Sequence, residues 1–257
     1  MPLITRNWFG LFTSLEPHDG KGKYFFLVKR IFLNSLDGVA FLSQSSRKLF
    51  VEKYADYCDI PSVIIHHGHY KRDAINPPTL PLYNSEPILA KYVGRIKRYK
   101  APDILARAAL LNPEKLRFTI VGEMHETDLK DELQALAAGS SNITLDVRAL
   151  SAVDFESEID SAAVIVMAYR DILNSGSALY ALSRNRPFIG PRLGSLVELQ
   201  QDVGQHWIWL YDGEFTGETF AEAIRWVAET DRSEPPDLSK YEWAKIGQKL
   251  SQFLSSL

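Results

Sequence analysis

From residue 88 onward the chain switches repeatedly between two hydrophobic periods, and that alternation restricts its fold more than any other feature. Runs rich in β-branched and aromatic residues (Ile88 to Val93, Arg117 to Val121, Asn142 to Leu145, Ala163 to Met167, Pro187 to Ile189, Trp207 to Leu210) are separated by segments with helical spacing. The helical segments are expected from Ala101 to Leu111, from Thr127 to Ala138, and over 151–159, 175–184, 195–200 and 216–229. Strands joined through helices cannot form hairpins; they pair in parallel, because only a long crossover returns the chain to the same sheet edge. The fold class expected is α/β, a Rossmann-like doubly wound parallel sheet with helices on both faces. Such sheets bind ligands outside the carboxyl ends of their strands. Gly94 and Tyr169 fall at two such ends, so two loops are placed to converge on one ligand.

The first of these loops reads Gly94-Arg95-Ile96-Lys97-Arg98-Tyr99-Lys100 and lies between an apolar strand and a helix. A helix N-terminus supplies backbone N–H groups and partial positive charge, and Arg95 and Lys100 add full charges that match phosphate oxygens. The combination suits a diphosphate, with Lys97 and Arg98 read as surface charges. The ordinary alternative is a solvated basic turn. In the second loop, Asn174-Ser175-Gly176-Ser177 opens a helix. Asn174 or Ser175 is an ordinary N-cap, while the same first-turn N–H groups could bind a phosphate or a sugar, with Gly176 allowing close approach to the backbone.

The spacing of Arg95 and Lys100 after a strand-end Gly resembles the diphosphate grip of retaining nucleotide-sugar glycosyltransferases of the two-Rossmann-domain (GT-B) type, the group 1 or family 4-like enzymes. The stretch Val166 to Leu179, followed by Arg186-Pro187-Phe188-Ile189-Gly190-Pro191, resembles that family's second signature. The resemblance implies catalytic roles for Arg95, Lys100 and Asp171, and donor binding through Gly94, Asn174, Ser175, Gly176, Ser177 and Glu198. It places Glu198 on the nucleotide ribose; an exposed helix acid is the plain alternative. It implies no cofactor and no metal beyond the nucleoside-diphosphate sugar itself.

Two departures from the family pattern stand out. Many retaining members carry two Glu residues flanking seven positions across the Ser-Gly helix, whereas this chain has Asp171 in the corresponding region and Leu179 at the second position. Asp171 either orients donor hydroxyls or is a loop acid that caps or pairs with Arg170. Aligned on Pro17-His18, the chain has Thr13-Ser14 where related enzymes read His-Asn, which removes a candidate active-site His.

The first 86 residues resemble only the closing stretch of an acceptor-binding domain: Asp37 to Ser43 with a strand from Gly38 to Leu42, a helix from Ser45 to Tyr54 capped by Ser43 or Ser45, and Val63 to Tyr70 after a strand from Ser62 to Ile65. The turn-rich Asn76-Pro77-Pro78 with Pro81 reads as a linker. The division expected is 1–80 as a partial acceptor-side α/β domain and linker, 81–235 as the nucleotide-sugar domain, and 236–257 as a C-terminal helix that packs back on the first domain or on the nearest sheet. On this reading the chain is N-terminally truncated, or its acceptor half comes from a partner chain. His66, His67 and His69 crowd the junction but have no Cys or carboxylate set beside them, so no metal is expected there.

Charge and composition exclude several classes. A net charge of −3, with basic residues clustered locally and no general excess of them, argues against nucleic-acid binding. The single cysteine, Cys58, leaves no intramolecular disulfide and suits the cytoplasm. No apolar run is long enough for a transmembrane helix. The mixed cationic and apolar stretch 21–33 suits either a buried domain helix with snorkelling lysines or a helix lying on the inner membrane surface, where a glycolipid acceptor would be met. No Gly-x-Gly-x-x-Gly follows the strands, which argues against a dehydrogenase. The resemblance implies a hexosyltransferase that moves a sugar from a nucleoside-diphosphate sugar to a glycan or glycolipid acceptor in polysaccharide or cell-surface glycan synthesis. The alternatives are a non-catalytic nucleotide-sugar-binding subunit that needs a partner chain and, more distantly, a two-Rossmann epimerase.

Overall fold

The computed structural model describes residues 9–12 (backbone only), 31–71, 87–172 and 174–257. The chain divides into two compact units: one of residues 1–68 and 239–257, the other of residues 69–238. The divisions fall at Gly68 and Leu238, where the sequence suggested about 80 and 235. His69 to Lys71 belong to the larger unit because Tyr70 N–H donates to Ser183 Oγ at 2.9 Å and Lys71 Nζ donates to the Pro236 carbonyl.

Among the described residues the smaller unit holds three parallel strands in the order β1 (Phe9–Phe12), β2 (Gly38–Phe41), β3 (Ser62–Ile64). Helix α1 (Gln44–Lys53) follows β2 and is capped by Ser43, whose hydroxyl accepts from Ser46 N–H. Phe50 of α1 packs on Phe41 with ring centroids 5.1 Å apart. The C-terminal helix of the chain, Trp243–Leu254 (α8 in chain order), packs within this unit. Phe253 and Leu257 press against Gly38 so closely that a Cβ there would meet the Leu257 Cδ1 at 2.7 Å, and the Trp243 indole covers Gly68.

The larger unit is one six-stranded parallel sheet. Its strands are β4 (Ile88–Val93), β5 (Leu116–Gly122), β6 (Ile143–Val147), β7 (Val164–Val166), β8 (Phe188–Pro191) and β9 (Ile208–Tyr211). Between them run α2 (Pro102–Leu110), α3 (Thr127–Ala138), α4 (Ala152–Asp160), α5 (Gly176–Ser183) and α6 (Ser195–Val203), and α7 (Gly217–Glu229) follows β9. The spatial order β6-β5-β4-β7-β8-β9 reverses direction between β4 and β7. That reversal is the topological switch point, where loops diverge and leave a crevice for a ligand.

Local chemistry explains the elements. Val and Ile dominate the central strands, and all but one residue of β4 are buried, as covered parallel strands require. Ser151, Ser175 and Thr216 each cap the helix that follows, with a full capping box between Ser151 and Asp154. Tyr92, Leu105, Phe118, Leu129, Phe188, Trp207 and Phe220 are among the fully buried side chains. Phe118 of β5 meets Phe220 of α7 edge-on at 5.7 Å, which seats α7 beside α2 on one face of the sheet.

Candidate functional site

Two loops leave the sheet on either side of the switch point. The first begins at Gly94, whose φ of 124° belongs to the glycine region. It runs alongside the loop after β5: Gly94 N–H donates to Val121 O at 3.0 Å and Ile96 N–H to Glu123 O at 2.9 Å. Gly122 permits that approach, because a Cβ at this position would collide with the Gly94 carbonyl oxygen. Ile96 is fully buried and pins the loop, so Arg95, one residue before it, turns outward with its side chain 77% exposed.

Of the four cations of this loop, Arg98 is held in close ion pairs, its guanidinium bonding Glu132 at 2.6 Å and Asp128 at 2.9 Å, while Lys97 lies 3.8 Å from Glu126. Arg95 makes only a loose contact with Glu123 at 3.8 Å. Lys100 sits over the Tyr92 ring at 6.0 Å from its centroid. Burial, with the Arg95 charge beside it, pulls the Lys100 ammonium down to about 8. Residues Arg98–Lys100 form a short 3₁₀ turn and Ala101 is left-handed, so α2 begins at Pro102 and not at Ala101. Pro102 disfavours the right-handed helical region for the residue before it.

The second loop returns to the first. After β7, Ala168 and Tyr169 are buried, and Arg170 N–H donates to Tyr99 O at 2.9 Å. The Arg170 guanidinium lies 3.4 Å from Asp103 in the first turn of α2. Among the described residues the ion-pair partner of Arg170 is thus Asp103 of α2. Asp171 itself is exposed on the loop. The Tyr169 hydroxyl lies 3.1 Å from Ser175 Oγ and also bonds Ser177; burial still keeps the phenol above its usual range. Ser175 Oγ accepts from Ala178 N–H at 3.1 Å, which fixes the first turn of α5 with Gly176 and Ser177 at its mouth. Asn174 is half-buried just before this cap.

Arg95, Lys100 and the Ser175-Gly176-Ser177 turn thus belong to loops joined at Tyr99 and Arg170. Glu198 stands in the first turn of α6, after β8 and one strand beyond the switch point. Leu179 is buried within α5. Thr13, Ser14 and His18, the linker prolines, and most of the basic stretch 21–33 lie outside the described residues. At the junction, the His67 ring lies edge-on to Trp243 and the His66 ring packs against Tyr241.

The sequence placed Tyr169 at a strand end and Tyr99 in the cationic loop but did not point to Tyr92, whose pattern is that of an ordinary core residue. Nor did it show a cavity of about 620 Å³ outside the ends of β7, β8 and β9. Tyr169, Arg170, Arg192, Tyr211 and Phe215 contribute to its wall. Arg192 is held there by Asp212 at 3.1 Å and by the Leu210 carbonyl. Tyr169 and Arg170 are common to this cavity and the switch-point loops.

A doubly wound sheet with a cationic loop and a helix mouth at its switch point defines a Rossmann-like fold of the GT-B type, and solved structures agree. HepE from Anabaena in complex with UDP superposes with a TM-score of 0.71 at 15% identity, covering 98% of this chain and 73% of that one. Sucrose-phosphate synthase from Thermosynechococcus elongatus gives 0.72 at 16% identity over 97% and 67%. Residues 88–230 match the model of the family described as glycosyl transferases group 1, and the chain belongs to that family. A GDP-mannose:glycolipid 4-beta-D-mannosyltransferase of Xanthomonas campestris pv. campestris is 28% identical over 185 residues, 72% of this chain. Those residues make up 52% of the relative, so the chain spans about half the length of the curated relatives it matches.

Proposed function

We propose that this chain binds a nucleoside-diphosphate sugar and takes part in transferring its sugar to a glycan or glycolipid acceptor. The observation that carries the reading is the junction of the two switch-point loops, with Arg95 and Lys100 on one and the mouth of α5 on the other, tied by the Tyr99–Arg170 bond. A diphosphate is the ligand that uses all of these groups. Arg95 and Lys100 offer cations, and the first-turn N–H groups of α5 offer donors.

Glycosyl transfer from such a donor releases a nucleoside diphosphate, and negative charge grows on the phosphate nearer the sugar as the glycosidic bond breaks. Preorganised cations and helix N–H groups stabilise that growing charge more than the ground state, which lowers the barrier. Lys100 is partly desolvated, so its attraction for the leaving phosphate is stronger than that of a fully hydrated lysine. On this reading Asp171, exposed on the second loop, orients sugar hydroxyls, and Glu198, in the first turn of α6, reaches a ribose.

The mannosyltransferase relative suggests GDP-mannose as donor and a glycolipid as acceptor, while the HepE complex suggests UDP. A glycolipid acceptor would bring the protein to a membrane surface, where the 21–33 stretch could lie. Among the described residues no helix is long and apolar enough to cross a membrane.

The second reading is a binding subunit without turnover, which buried Leu179, at the place of a family carboxylate, favours. The test is incubation with GDP-mannose or UDP-glucose and a bacterial glycolipid extract, measuring released nucleoside diphosphate. Release that disappears in Arg95→Ala with Lys100→Ala supports the transferase. Tight donor binding without release supports the binding subunit.

A further inference from the structure

The two glycines of the switch-point loops face one chain of stacked rings. A Cβ on Gly94 would meet the Phe155 ring at 3.6 Å. Phe155 of α4 lies edge-on to Tyr180 of α5 at 4.9 Å, and Tyr180 stacks on Tyr70 at 4.4 Å with 31° between ring planes. At the far end of this chain, the Tyr70 hydroxyl lies 3.5 Å from the position a Cβ on Gly176 would take.

Tyr70 is also firmly placed. Its N–H donates to Ser183 Oγ, and that fully buried hydroxyl donates in turn to Leu179 O at 2.7 Å. The backbone of Tyr70 is thereby fixed along α5, and its ring is fixed by Tyr180. The phenol oxygen is thus held beside the first residue of α5, where the helix N–H groups emerge.

We propose that Tyr70 is a donor-site residue whose hydroxyl donates a hydrogen bond to the sugar-bearing phosphate of the nucleoside diphosphate at the mouth of α5. This rests on the donor-site reading above and adds to it a residue from outside both loops. A phenol O–H to a phosphate oxygen is a charge-assisted bond, and partial burial strengthens it. The rings of Tyr70 and Tyr180 serve the same end by holding the hydroxyl in place at little entropic cost.

Tyr70→Phe removes the hydroxyl and keeps the ring stack on Tyr180, and thermal unfolding of both proteins records any cost to the fold separately from binding. The experiment is calorimetric titration of wild type and Tyr70→Phe with UDP, UMP, GDP and GMP. The expected result is a loss of about tenfold in affinity for the diphosphate that binds, with its monophosphate bound equally by both proteins. Such a split between diphosphate and monophosphate is not produced by a merely structural role. Equal diphosphate affinities, or an equal loss for both phosphates, would overturn the assignment of Tyr70 and leave the donor site standing. A wild type that binds none of the four would overturn both.

Discussion

The backbone N–H of Arg170 donates to the carbonyl of Tyr99 at 2.9 Å, tying the loop after β7 to the loop after β4. Beside it, the Arg170 side chain is held by Asp103, which is almost wholly buried in the first turn of α2. Asp103→Asn keeps the shape but removes the ion pair and a favourable charge at a helix N-terminus. Because Arg170 is half exposed, we expect a loss of only about 1 kcal/mol in thermal unfolding. Nucleoside-diphosphate affinity should fall several-fold, since the second loop loses a tether; unchanged affinity would show that the backbone bond alone holds it.

Lys100 makes the site pH-dependent. Its folded-state value of about 8 lies below the ordinary 10.5, because burial and Arg95 disfavour the charge. If Lys100 holds a diphosphate as proposed, it does so as the ammonium, and affinity should fall as pH rises through about 8, by up to tenfold per unit. The stability effect has the opposite sign: the penalty for burying the charge is fully present below pH 8 and is relieved between about 8 and 10.5. Lys100→Met should therefore stabilise the fold near pH 7 by about 1–3 kcal/mol while weakening binding. Lys100→Arg should flatten the binding profile, which calorimetry across pH 6.5 to 9.5 would read.

Gly122→Ala tests the close approach of the loops after β4 and β5. The added methyl group collides with the Gly94 carbonyl, and the φ of 149° at this position disfavours any side chain. A loss of about 3 kcal/mol or more is expected in chemical denaturation, accompanied by weakened nucleotide binding as Gly94 shifts.

Ser175→Ala removes the N-cap of α5 and one partner of the Tyr169 hydroxyl. The expected cost is about 1 kcal/mol. Ser175→Asp restores a cap but sets a negative charge at the helix mouth. It should recover the thermal stability and still bind nucleoside diphosphate poorly, separating the capping role from the ligand role.

The alternation of periods made the larger unit legible because each strand and helix announces itself locally, and boundaries such as Thr127 to Ala138 coincide with those of the structure. The strand Phe9–Phe12 was not legible: it is short, has Gly10 inside it and shows no alternation. The turn before α2 was misplaced by one residue, because a left-handed Ala101 has no sequence mark beyond the proline that follows it. In the candidate site, the cations and the Ser-Gly turn could be read because they are contiguous. Partners far apart in the chain could not: Arg170 with Asp103, Arg98 with Glu132, and Tyr70 with Tyr180 come together only through the sheet order.

The most direct measurement is calorimetric titration of the protein with UDP and with GDP, repeated on Arg95→Ala with Lys100→Ala. We expect micromolar binding of one nucleotide by the wild type and a loss of about a hundredfold or more in the double variant, since two charge-assisted contacts are removed. A folded wild type that binds neither nucleotide, or a double variant that binds as well as wild type, would contradict the assignment of a diphosphate to the switch-point loops.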